Sequence, residues 1–134
     1  MQDKPTLYLL RGVCGSGKTT LAKDLVARGF ADRWLEADQY FMNGTHYVFD
    51  ASKLKNAHEW CQTATKHTLL QERSVVVSNT STTEKEVAVY QQIAKDYDAN
   101  FVSLIVENRN DTKNVHNVPE EKIQQMKDRF NVKL

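Results

Sequence analysis

Gly12-Val13-Cys14-Gly15-Ser16-Gly17-Lys18-Thr19 fits the pattern G-x-x-x-x-G-K-[ST] without a mismatch. The chemistry explains the residue types. Glycines let the backbone turn tightly enough for its N–H groups to converge on phosphate oxygens. The helix that follows adds the positive end of its dipole. A lysine at position 18 reaches the β- and γ-phosphates, and the Thr19 hydroxyl takes a place on Mg²⁺. Gly12, Cys14, Gly15, Ser16, Gly17, Lys18, Thr19 and Thr20 are therefore the expected nucleotide-binding residues, with Thr19 on the metal. Cys14 lies near a lysine and a helix N-terminus, where thiol pKa values fall. It is read as a small loop-filling residue whose alkylation should block nucleotide binding.

The flanks have the form such a loop requires. Residues 6–10 are a short apolar run suited to a buried parallel strand. Residues 18–28 predict a helix with Leu21, Ala22, Leu25 and Val26 inward, stopped by Gly29. A second strand is expected over 33–37, leading into Asp38. Asn43-Gly44 between aromatic flanks predicts a hairpin with a type I′ turn. Ser52 is the expected cap of a long helix over 53–72, with Leu54, Ala57, Cys61, Ala64 and Thr68 at helical spacing. Val75-Val76-Val77 is a β-branched run of central-strand type.

Two overlapping capping boxes, Ser81 with Glu84 and Thr83 with Glu86, open a helix whose apolar face is Val87, Tyr90, Ile93, Ala94 and Tyr97. Residues 101–106 form a fourth strand and 107–118 a polar loop. Pro119-Glu120-Glu121 begins a last helix. Strands alternating with helices predict an α/β fold: one domain over 1–134 with a doubly wound, mainly parallel sheet and helices on both faces.

Composition sets bounds on function. With 134 residues, 40% hydrophobic and 26% charged, the chain has the size and balance of one globular domain. Eighteen basic against 17 acidic residues argue against nucleic-acid binding by bulk charge; any polynucleotide must be gripped locally. Two cysteines, one inside the loop, are too few for a disulfide framework. The apolar run near the N-terminus is too short for a signal peptide or membrane span, so a cytoplasmic setting is expected.

Asp38 bears on whether phosphate is moved or only held. It lies 20 residues after Lys18, at the predicted carboxyl end of the second strand, along the edge where open α/β sheets bind ligands. A carboxylate there can take the proton of an incoming hydroxyl. From position alone, this role and that of a simple turn cap stay open.

The chain resembles the 5′-hydroxyl polynucleotide kinase branch of P-loop kinases. The carriers are the loop with Thr20, Asp38-Gln39-Tyr40-Phe41 for the strand-end motif, Ser78-Asn79-Thr80-Ser81 after the third strand, and Val118-Pro119 before the last helix. The resemblance implies the P-loop NTPase fold, ATP and Mg²⁺ as cofactors, and Asp38 as general base. It also implies an acceptor hydroxyl on a nucleic-acid 5′ end, a nucleotide or another small molecule. The sequence departs from the family at two points. Phe41 stands where the phage enzyme has an arginine for the acceptor phosphate, and Asn79 replaces a third-strand carboxylate while keeping hydrogen-bonding capacity toward a water or phosphate oxygen.

The 107–118 loop takes the place of the basic lid that such kinases close over the γ-phosphate, with Arg109 and Lys113 as its cations and His116 nearby. Tyr40, Phe41, Tyr47, Phe49 and Trp60 either stack an acceptor base or pack the hairpin onto the domain. Two other readings stand beside this one, the first favoured by the two departures and a short lid, the second differing only in acceptor. One is a nucleotide-binding regulator or inhibitor that transfers nothing; the other is a kinase for nucleotide sugars like the zeta-type toxins. The absence of an N-K-x-D motif favours adenine over guanine.

Overall fold

A computed structural model describes residues 4–13, 15–80 and 83–107. Its centre is a four-stranded, fully parallel sheet built from β1 (Thr6–Arg11), β2 (Arg33–Leu35), β5 (Val75–Val77) and β6 (Asn100–Ile105), in the order β2-β5-β1-β6. Side chains on a strand alternate between faces, and both faces are buried. Leu7, Leu9, Leu35, Val75 and Val77 point into one core with residues of α2 (Leu54–Leu70) and α3 (Glu84–Asp96). Leu10 and Val76 point into the other, against Ala22 of α1 (Lys18–Ala27) and Ala31. This two-sided burial is why these strands read as continuous apolar runs. It confirms the doubly wound arrangement over the described residues.

The helix boundaries follow local chemistry. Gly29, at φ 82°, takes the left-handed conformation just past α1, and the Phe30 N–H turns back to the Leu25 carbonyl. Thr83 caps α3 through a complete capping box with Glu86. The alternative box at Ser81 lies outside the described residues, as do Cys14, the helix expected at Pro119, and Arg109, Lys113 and His116 of the 107–118 loop. Inside α2 the buried Thr65 and Thr68 hydroxyls donate to the carbonyls of Cys61 and Ala64, so no polar group is stranded there.

Three expectations need correction. The second strand ends at Leu35, and Asp38 lies in a 3-10 turn, Ala37–Phe41, because the Gln39 N–H closes onto the Glu36 carbonyl. The hairpin of β3 (Met42–Asn43) and β4 (His46–Tyr47) pairs Asn43 with His46, which leaves Gly44-Thr45 as the two-residue loop. Only Gly44 has positive φ, 65°, whereas a type I′ turn needs it at both central positions. The glycine therefore leads the turn and Asn43 is a strand residue. Finally, Ser52 does not cap α2. Asp50 accepts from the Ser52 N–H and hydroxyl at 3.0 and 2.7 Å and starts a 3-10 turn, Ala51–Lys53, that runs into the helix.

Strand register positions the site. Leu35 pairs with Val77, and Val77 with Leu9, so the residues that follow β2, β5 and β1 emerge side by side along one edge of the sheet.

Candidate active site

The loop between β1 and α1 is shaped by two left-handed glycines, Gly15 at φ 82° and Gly17 at φ 97°. Gly12 is required for a different reason. A Cβ there would lie 2.5 Å from Ser16 Oγ and 2.6 Å from the Val106 carbonyl oxygen, contacts no side chain tolerates. Gly17 occupies the N-cap of α1 without a side-chain cap, and no acidic residue stands in the first turn. The helix thus offers its first N–H groups and its dipole to an anion without an internal competitor. Ser16 Oγ is buried and has no hydrogen-bond partner among the described residues. A phosphate oxygen in the loop supplies that kind of partner. Lys18 is nearly buried and its ammonium lies back on the loop, donating to the carbonyls of Gly12 at 2.7 Å and Val13 at 3.0 Å. Thr19 is half-buried and Thr20 exposed on the outer side of α1.

The residue missed in the sequence is Glu36. Its Oε2 accepts from the Thr19 hydroxyl at 3.2 Å and from the Ser78 hydroxyl at 2.8 Å. A carboxylate therefore does stand beside the expected metal ligand, but it arrives from the end of β2. The available signal was position: Glu36 follows the last residue of β2 and precedes Asp38 by two, on the same sheet edge. Mg²⁺ takes one or two protein ligands and completes its shell with phosphate and water, and Thr19 with Glu36 fits that donor set. Among the described residues no cluster of three or more His, Cys, Asp or Glu forms an all-protein cage.

Asn79 does something other than expected. It is buried, its Oδ1 accepts from the Ala37 N–H at 2.6 Å, and its Nδ2 faces Tyr90 Oη at 3.2 Å and Cys61 Sγ at 3.6 Å. The amide is used inside the protein, where it fixes the first residue of the turn that carries Asp38. Burial pushes the Cys61 thiol pKa up, partly offset by hydrogen bonds from Tyr90 and Asn79, and burial pushes the Tyr90 phenol up as well. Both stay protonated and serve as packing and hydrogen-bonding groups.

Asp38 is half-buried, and its Oδ1 accepts from Tyr47 Oη at 3.2 Å. The hairpin is thus tied to the carboxylate. Phe41, 5% exposed, packs inward with its ring 5.1 Å from Phe49 and 5.6 Å from Tyr40. It fills the hairpin's interior, and so its position supplies no cation to an acceptor phosphate. Tyr40, Tyr47 and Phe49 remain 38%, 43% and 52% exposed on the same face. At the end of β1, just before the loop, Arg11 is fully buried; burial lowers its pKa while Glu86 and Glu84 act to raise it.

Comparison with known proteins bears on the fold that carries these residues. Residues 7–132 match the family model described as AAA domain. Human NEDD4-binding protein 2 is 34% identical over 92 residues, covering 68% of this chain and 5% of that protein. Among solved structures, the Pnkp1/Rnl/Hen1 complex contains a chain that superposes over 100% of this one and 42% of its own length, with TM-score 0.66 and 15% identity. Kti12 of Chaetomium thermophilum, solved with ADP-AlF3, superposes over 93% of this chain and 80% of its own, with TM-score 0.68 and 14% identity. The chain thus spans less than half of the first of these structures and a small fraction of the human relative. The fold is that of the P-loop NTPases.

Proposed function

This chain belongs to the AAA domain family, and we propose that it is an ATP-dependent phosphotransferase acting on an alcohol hydroxyl. The observation that supports this reading is a carboxylate held against the phosphate loop, with a second one two residues further along the same sheet edge. Glu36 lies against Thr19, and Asp38 stands two residues further on, on a turn pinned by Asn79.

The division of labour follows from chemistry. The loop N–H groups and Lys18 hold the β- and γ-phosphates, the lysine exchanging its loop carbonyls for phosphate oxygens. Thr19, with Glu36 behind it, would hold Mg²⁺, which would offset charge on those phosphates. Asp38 accepts the proton of the acceptor hydroxyl as its oxygen attacks the γ-phosphorus. The bond to the β–γ bridging oxygen breaks, and ADP leaves with the electron pair. Arg109 and Lys113 are proposed to complete the clamp from the 107–118 loop. The acceptor is a nucleic-acid 5′ end, a nucleotide or a small alcohol. The likeness to the polynucleotide kinase branch supports the first, and the buried Phe41 argues that acceptor phosphate is not gripped as in the phage enzyme.

General-base catalysis contributes about 10²- to 10⁴-fold, so Asp38→Asn should lower kcat by roughly 10² or more while leaving ATP affinity intact. The measurement is transfer from γ-labelled ATP to a panel of oligonucleotide, nucleoside and sugar acceptors. Unchanged transfer in the variant removes Asp38 as base. Tight ATP binding with no transfer to any acceptor makes the chain a nucleotide-binding regulator.

A further inference from the structure

The metal-side carboxylate is the last link of a hydrogen-bonded chain that begins outside the site. The indole N–H of Trp34, on β2, donates to Ser78 Oγ at 2.7 Å, and the Ser78 hydroxyl donates to Glu36 Oε2 at 2.8 Å. The Thr19 hydroxyl donates to the same Oε2 at 3.2 Å. From this geometry we infer that Trp34 is a positioning residue for the divalent cation: through Ser78 it holds Glu36 so that Thr19 presents its oxygen to the metal. The inference rests on the metal reading of Thr19 and Glu36 given above.

Each link has a physical reason. A threonine that ligates a metal through an oxygen lone pair must send its proton elsewhere, and Glu36 Oε2 receives it. A serine hydroxyl is a free rotor with one proton and two lone pairs. Accepting the indole N–H occupies a lone pair and leaves the proton directed at Glu36, and donors in series polarise one another. Both bonds fall on Oε2, which leaves Oε1 for the cation or its water. Trp34 is itself well held. Lys23 Nζ lies 5.3 Å over its ring, its carbonyl accepts from Gln39 Nε2 at 3.2 Å, and it pairs with Val76 in the sheet. A rigid donor at the head of the chain is what an outer-shell orienting group requires.

The readout is the coupling between metal and nucleotide. Affinity for the β,γ-imido analogue of ATP is measured calorimetrically in excess Mg²⁺ and again in chelator, and the ratio isolates the metal's share. Outer-shell changes cost metal sites roughly tenfold or more, so Trp34→Phe should cut that ratio by about tenfold while the affinity in chelator stays put. Ser78→Ala should do the same, and the double variant should lose no more than either alone, since one chain is broken twice. Glu36→Gln separates the levels of inference. If it leaves the ratio at the wild-type value, the metal reading falls and the proposal with it. If Glu36→Gln lowers the ratio while Trp34→Phe and Ser78→Ala do not, the metal reading stands and the role of Trp34 is overturned.

Discussion

At the scale of single residues, the loop glycines have unequal roles. Gly15 and Gly17 are needed for their left-handed backbone, whereas Gly12 is needed because there is no room. One of the two atoms a Cβ would strike at Gly12 is the Val106 backbone oxygen, which cannot rotate aside. Overpacking costs about 1–3 kcal/mol, and here the strain falls on the loop itself, so Gly12→Ala should weaken ATP-analogue binding by roughly tenfold. Titration calorimetry decides it; affinity equal to wild type means the loop relaxes around a methyl group. The G-x-x-x-x-G-K-[ST] spacing made this region legible in the sequence because local backbone geometry dictates it. Glu36 and Asn79 were not legible in the same way. The carboxylate beside Thr19 comes from the residue just after β2, and Asn79, standing where the resemblance implies a carboxylate, turns its amide inward to Ala37. Those assignments depend on which side chains meet across neighbouring strands, and periodicity carries no such information.

Among elements, the hairpin is the one whose existence was legible and whose register was not. Asn-Gly marked the turn, but not the pairing around it. Phe41 is buried among the rings of Tyr40, Tyr47 and Phe49, and its carbonyl accepts from the Val48 N–H at 2.9 Å, in register with the pairing of Asn43 with His46 that leaves Gly44 first in the loop. The same register brings Tyr47 Oη to Asp38. Gly44 is otherwise unconstrained, since a Cβ there meets nothing within 4 Å. Its left-handed φ alone resists a β-branched residue, at a cost of about 1–2 kcal/mol. Gly44→Val should therefore loosen the hairpin without touching the phosphate loop, and the expected kinetic signature is a several-fold higher acceptor KM with the KM for ATP unchanged. A variant in which both constants rise together would show that the hairpin does not serve the acceptor side specifically.

For the whole molecule, the alternating strands and helices predicted a two-faced sheet correctly, because apolar runs and helix caps are local signals. Less visible was that the two cores have different chemistry. The face covered by α2 and α3 contains Cys61, Asn79 and Tyr90 in mutual contact, with Asn79 also holding the turn that bears Asp38. Burial raises the pKa of both the thiol and the phenol in the folded protein. The unfolded chain therefore releases these protons first, at the ordinary thiol value of 9.0 for Cys61. The stability contributed by the protonated forms is complete below that value and declines as pH rises above it. Urea midpoints should hold steady between about pH 7 and pH 8 and fall by about pH 10. Lysines also titrate in the upper part of this range, so Cys61→Ala is the control: its alkaline slope should be shallower than that of the wild type. Equal slopes would mean that the thiol is not desolvated in the folded state, and that the cluster beneath the Asp38 turn is open to water.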